Sequence, residues 1–408
     1  MSGSYRGFSP RPPLLPLRRG AVDFTDEVGL AFNAALIGDA PLPPVQEGSA
    51  EPFVGVTTDG HPVPGLFTVA DEGAPAAEAA RAASAYLAGL DPVNRGKAAL
   101  PVDAPEWRLW TNAFLTFPEH GLLLQELGEA QRDAALAVMQ ACLSPAGFAQ
   151  ARGAMRLNGA IGDLVDAYPD TLTEFCYWFT VFGEPSTTQP WGWQLQGHHL
   201  DLHCFLLGGQ MVLTPNFVGV EFDGDDFFGP HRGLARALME SLDPVQRDRA
   251  LLHGSMLAAD LPKELAGVVD GRHRAGAGRD NVVLPAAGLA GDQLRAGQRE
   301  LLLTLAETYL TNLPDEPRRR RRAEVARHLD QTHLAWIGTT DARAPFYYRL
   351  HSPVLLVEYD NHPGVFLDIA EPEPFHVHTI VRTPNGGDYG KSLLAQHYAT
   401  HHGAARPR

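Results

Sequence analysis

Gly197-His198-His199-Leu200-Asp201-Leu202-His203-Cys204-Phe205-Leu206-Leu207-Gly208-Gly209-Gln210-Met211-Val212-Leu213 is the stretch from which the fold and the chemistry of this chain are both read. Two apolar runs, Leu200 to Leu207 and Gln210 to Leu213, flank a pair of glycines. Such a pair signals a tight hairpin, because glycine reaches without strain the positive φ that the turn requires. Val354 to Tyr359 and Val365 to Ile369, separated by Asp360-Asn361-His362-Pro363-Gly364, read as a second hairpin with a longer turn.

The segments outside the hairpins read mostly as helix. Alanine-rich sequence from Ala76 runs to Leu90-Asp91-Pro92, where Asp suits an N-cap and Pro the first helical position. Gln125 to Leu143 carries apolar residues near a 3.6 period and stops at Ser144-Pro145-Ala146-Gly147. Met155 to Phe182 reads as further helix, and so does Ser392 to His402.

Two anchors then recur in the same order. Leu90-Asp91-Pro92-Val93 returns as Leu242-Asp243-Pro244-Val245, and Gly121-Leu122 with Leu127 and Gln131-Arg132-Asp133 returns as Gly288-Leu289 with Leu294 and Gln298-Arg299-Glu300. This predicts an α+β fold of duplicated helix-plus-β-hairpin units that share a mixed or antiparallel sheet covered by helices. Residues 1–75 form a Pro/Gly-rich arm, with strand-like pieces such as Leu66-Phe67-Thr68-Val69. Residues 76–408 form one domain of two pseudo-repeats, about 76–227 and 228–370, followed by a histidine-containing strand and the terminal helix.

Composition narrows the function. The 408 residues are 44% hydrophobic and 20% charged, an ordinary globular balance, and no apolar run reaches the roughly 18 to 20 residues that span a bilayer. A formal charge of −15 opposes nucleic-acid backbones. Prolines 12, 13 and 16 interrupt the leucines near the start, so no secretion signal is read. Cys142, Cys176 and Cys204 lie far apart in apolar surroundings, which suits buried thiols and a cytoplasmic protein. Strand alternation points Cys204 away from His203, against a thiolate ligand.

Fifteen of the 17 histidines lie at or after residue 198. Imidazole is the commonest metal ligand, and closely spaced pairs suit one cation. On a strand His199, Asp201 and His203 share a face, as do His376 and His378, so His199, His203, His376 and His378 are the candidate ligands of a divalent transition metal. His198 is a candidate catalytic group beside them. Glu358, inside the apolar run Val354-Leu355-Leu356-Val357-Glu358-Tyr359, is the best carboxylate for fourth ligand or base, because a charge there needs a cation or donors. Asp201 and Asp388 are second choices. Arg349 and Arg382, cations in aromatic or apolar strands, either hold an anionic substrate or pair with a carboxylate such as Glu358. Trp191, Trp193, Tyr347 and Tyr348 either wall a pocket or fill the core.

No G-x-S-x-G elbow, P-loop, H-E-x-x-H helix or paired C-x-x-C is present. The runs Phe182-Gly183-Glu184-Pro185-Ser186, Trp191-Gly192-Trp193-Gln194, Gly197-His198-His199-Leu200 and Thr214-Pro215-Asn216-Phe217-Val218-Gly219 resemble a family catalogued as a domain of unknown function, number 3500. So do Tyr347-Tyr348-Arg349, Val357-Glu358-Tyr359-Asp360, His376-Val377-His378, Arg382-Thr383-Pro384 and Asp388-Tyr389-Gly390, and the likeness covers roughly residues 80 to 400. It implies no activity. His198, His199, Glu358, His376, His378, Arg382 and Asp388 fall on the family's motifs, whereas His203 and His351 are less typical, and Thr383 and the spacing before Asp388 depart from the pattern.

These readings predict a metal-dependent enzyme acting on a small organic substrate, such as a carboxylic acid. An oxygen-dependent oxidoreductase with iron or copper leads, a zinc-type metallohydrolase follows, and a non-catalytic carrier of metal or small acid is the reading from a different class.

Overall fold

Tyr177-Trp178-Phe179-Thr180-Val181-Phe182 is six aromatic or β-branched residues in a row, and in the structure, a computed structural model, it is a fully buried strand rather than the end of a helix. Such side chains lose less freedom on a pleated surface than against a helical turn, so tertiary burial overrides the helical reading of Met155 to Phe182 from Asp166 onward. The structure describes residues 4–10, 51–113, 120–222, 226–267 and 271–401.

In chain order the elements are α1 (Ala76–Ala88), α2 (Pro92–Ala98), β1 (Ala99–Leu100), β2 (Leu122–Leu123), α3 (Glu129–Cys142), α4 (Pro145–Val165), β3 (Tyr177–Phe182), β4 (Trp191–Gly197), β5 (Leu200–Leu207), β6 (Gln210–Val212) and β7 (Asn216–Val220). They continue as α5 (Gly229–Ser241), α6 (Pro244–Ala250), β8 (Leu251–His253), β9 (Leu289–Ala290), α7 (Ala296–Thr308), α8 (Asp315–Arg327), β10 (His333–Ile337), β11 (Tyr347–His351), β12 (Leu356–Asn361), β13 (Val377–Arg382) and α9 (Lys391–His401). His402 and residues 11–50 of the arm lie outside the described residues. Residues 51–75 contain no helix, and Leu66-Phe67-Thr68-Val69 joins no strand.

The fold is α+β, built on one mixed sheet of 13 strands with the order β1-β3-β4-β5-β7-β13-β12-β11-β10-β8 and with β2, β6 and β9 pairing β3, β5 and β10. Among the described strands only β1 with β3 and β8 with β10 run parallel. The order reads alike outward from the β7–β13 seam, and each edge carries a short parallel strand that follows an Asp-capped, Pro-started helix. The hairpin of β5 and β6 forms as expected, with Gly208 at φ 56°.

The second expected hairpin does not form. β12 pairs with β11 and β13 instead, and Val365 to Ile369 curls into a loop. Its backbone explains why: the N–H groups of Val365, Phe366 and Leu367 all donate to the Glu221 carboxylate at 2.8–2.9 Å, which satisfies them away from any strand.

Strand alternation gives the sheet two unlike faces. On one, Phe179, Trp193, Leu202, Val218, Val357, Tyr359, Leu350 and Trp336 pack against helical residues such as Ala83, Met139, Met155, Leu238 and Leu302, forming the main core. Trp193 and Tyr348 belong to this core rather than to a site, and so does Cys204, which like Cys142 and Cys176 is buried outside any disulfide. The other face carries Gln194, Asp201, His203, His378, Arg382, Glu358, Asp360 and Arg349, all buried. Irregular segments that cross it, residues 104–112, 271–284 and 383–390, supply many of its partners. Arg382 shows the pattern: Nη1 reaches Asp280 at 2.7 Å and Asp388 at 3.3 Å, while Nε and Nη2 donate to the carbonyls of Ala275 and Gly276. Asp280 also accepts from Arg108 Nε at 2.7 Å. Four of the five N–H groups of Arg382 are thus met by the protein, which favours a structural role over the anionic-substrate reading.

Candidate metal centre

The site starts at a turn. Gly197 ends β4 and Leu200 starts β5, leaving His198 and His199 as the two turn residues, with His199 at φ 62°. They are therefore not strand residues, and the shared face expected for His199, Asp201 and His203 is replaced by a local geometry that swings His199 over the sheet. The turn is held from both sides: His199 N–H donates to Asn112 O at 3.2 Å, and its carbonyl accepts from Gly219 N–H at 2.7 Å.

β13 brings the other two candidate ligands. Antiparallel register sets His378 beside Gly219 of β7, and His376 immediately precedes the strand. A methyl group on Gly219 would lie 3.0 Å from His378 Cδ2 and 3.1 Å from His199 Cδ2, so glycine there lets the two rings approach. The Nε2 atoms converge: His376 to His378 is 3.2 Å and His378 to His199 is 3.0 Å. Two nitrogens bound to one cation at about 2.0–2.1 Å, with angles between right and tetrahedral, are about 2.9–3.4 Å apart, so the spacing fits a shared ion.

Protonation states agree with ligation. Burial first, and then the neighbouring imidazoles, hold His199, His376 and His378 well below the usual histidine range, so all three are neutral. His376 Nδ1–H donates to Pro363 O at 2.6 Å, which fixes the tautomer and leaves the Nε2 lone pair free, the usual outer bond of a metal-bound histidine.

Around the three ligands lie further imidazoles. His198 stacks on His199 at 3.8 Å between ring centres and bonds Asn158 through Nδ1 at 2.6 Å, and burial pushes it down to about 3. His362 lies 3.9 Å from His378 by ring centres, with Nε2 2.8 Å from Asp360. Asp360 also pairs with Arg272. His362, His273, Asp360 and Arg272 were not singled out from the sequence. His362 passed for part of a turn, and residues 271–284 carry no period or motif that would have marked them.

Four expected ligands or carboxylates lie elsewhere. His203 is engaged at both ring nitrogens, by Gln194 at 2.8 Å and by Pro215 O at 2.9 Å, between Trp110 and Tyr389. It is a satisfied buried histidine rather than a ligand. Glu358 accepts from the backbone N–H groups of Arg274 and Ala275 and from Tyr347 Oη at 2.6 Å. Its place in β12 explains this, because Asp360 and not Glu358 is the residue opposite His378. Asp388 is bound to Arg382 and Thr383 N–H. Asp201, fully buried and shifted well upward by burial, is not within reach of the three Nε2 atoms.

Among the described residues, His199, His376 and His378 form a buried group whose ligand atoms lie within 4.8 Å of one another. No helix of those residues is long and apolar enough to cross a membrane. No curated protein and no solved structure matches the chain. A family described as "Protein of unknown function (DUF3500)" matches residues 72–391, most of the chain, and the protein belongs to it.

Proposed function

We propose that the protein is a metal-dependent enzyme whose His199, His376 and His378 hold one divalent cation, and that the centre is of the zinc type, activating water against a small organic substrate. The observation that carries this reading is the convergence of three neutral Nε2 atoms with a fixed tautomer at His376. Three histidines are a protein ligand set of catalytic zinc, and a neutral set leaves the cation its full charge. A cation there supplies a Lewis acid that acidifies water near neutral pH. The absence of a carboxylate among the described ligands weighs against the two-histidine, one-carboxylate pattern of iron oxygenases.

Elemental analysis of the purified protein, alongside a His376→Ala, His378→Ala double variant, tests this. About one equivalent of zinc, lost in the variant, is the expected result. Iron or copper in its place would move the assignment to an oxygen-dependent oxidoreductase. No metal, with none taken up on reconstitution, would remove the metalloenzyme reading altogether.

A further inference from the structure

Four arginines are buried among the described residues: Arg108, Arg272, Arg349 and Arg382. Three of them pair with carboxylates, Arg108 and Arg382 with Asp280 and Arg272 with Asp360. Arg349 does not. It is 5% exposed, no hydrogen bond or ion pair reaches its guanidinium among the described residues, and its Nε is sealed from solvent without a partner.

The obvious partner is present but engaged by other groups. Glu358 stands directly opposite Arg349 on β12, yet its oxygens are taken by the N–H groups of Arg274 and Ala275 and by Tyr347. His351 shares the face of Arg349 by strand alternation, is 2% exposed, and leaves its own Nδ1 buried and unbonded. Burial, with Arg349 next, holds His351 down to about 3, so it is neutral and free to donate or accept.

A buried guanidinium without a direct ion pair or hydrogen bond is costly, whereas its planar fork matches the two oxygens of a carboxylate or phosphate. We propose that Arg349, with His351, binds a small oxyanion on the polar face of the sheet. The site lies on β11, two strand spacings or about 10 Å from β13, which carries His378, and it does not depend on the metal reading.

Calorimetric titration at constant ionic strength, with inorganic phosphate and separately with acetate, tests it. Saturable binding of one of the two ions is expected in the wild type. Binding should be roughly tenfold weaker or worse in Arg349→Gln, where a charge-assisted contact is lost, intermediate in Arg349→Lys, and unchanged in the His376→Ala, His378→Ala variant. Which ion binds separates a phosphate ligand from a carboxylate. No saturable binding of either ion, or equal binding in Arg349→Gln, would overturn the proposal. Urea unfolding of Arg349→Met provides the second readout. Its midpoint should match or exceed that of wild type without the anion and show no anion-dependent rise. A variant that unfolds whether or not the anion is present would show that the arginine is paired within the fold, and the proposal would fail.

Discussion

At the scale of single residues, His376 shows how a side chain is prepared for metal ligation. Its Nδ1 proton is committed to Pro363 O, its burial keeps it neutral, and its Nε2 points at His378. Replacing it with alanine should weaken zinc binding about a hundredfold or more, read by competition with a chromophoric chelator, while far-ultraviolet circular dichroism stays unchanged. Asp280 makes the opposite case, a residue whose loss should break the fold. It offsets both Arg108 and Arg382 in a buried setting, so Asp280→Asn should lower stability by about 3–5 kcal/mol, measured as the urea midpoint. The histidine pair at 376 and 378 was legible because its two members are two residues apart. Asp280 was not, because its partner Arg382 is 102 residues away and nothing in the spacing of either marks the other.

At the scale of elements, strand register decides the site. Placing His378 beside Gly219 puts a residue without a side chain where two imidazoles must meet. Gly219→Ala should therefore leave secondary structure intact and lower metal affinity, because the added methyl group pushes on both rings and cannot move off the strand. Equal affinity in the variant would show that the rings do not need this approach. Helix ends follow local rules: the Asp243 side chain accepts from Val245 and Gln246 N–H, with Gln246 returning the bond, so Asp243→Ala should cost about 1 kcal/mol, visible as a small fall in Tm. Those caps were readable from Leu-Asp-Pro alone, since their bonds span only three residues. The strand at Tyr177–Phe182 and the loop at 365–369 were misread, because burial in a sheet centre and the distant Glu221 carboxylate chose their conformations.

Across the whole molecule, the polar face of the sheet buries many neutral imidazoles, which ties stability to acidity. On that face burial holds His203 and His351 at about 3, and on helix α5 it holds His231 at about 4, all from an ordinary value of 6.5. Their folded-state values are depressed, so the stability they support is complete above pH 6.5 and is lost as pH falls toward 3 to 4, where the unfolded chain takes up protons that the folded one refuses. Each such group should steepen the loss by about 1.4 kcal/mol per pH unit, and urea midpoints between pH 7.5 and 4 should fall accordingly. A flat profile would show that the rings are reached by water. The sequence by itself determined the mixed α+β class, the first hairpin, the capped helices and three histidines, 199, 376 and 378, that the fold brings together, because those signals are local: period, turn chemistry and close spacing. Only the tertiary structure decided that His199 sits in a turn, that His203 and Arg382 are bonded within the fold, that Glu358 serves the 274–275 backbone, and that Arg349 has no partner among the described residues. Each of those outcomes depends on which distant segment crosses the buried polar face, and a charge or hydrogen bond removed from water must be met by whatever that segment brings.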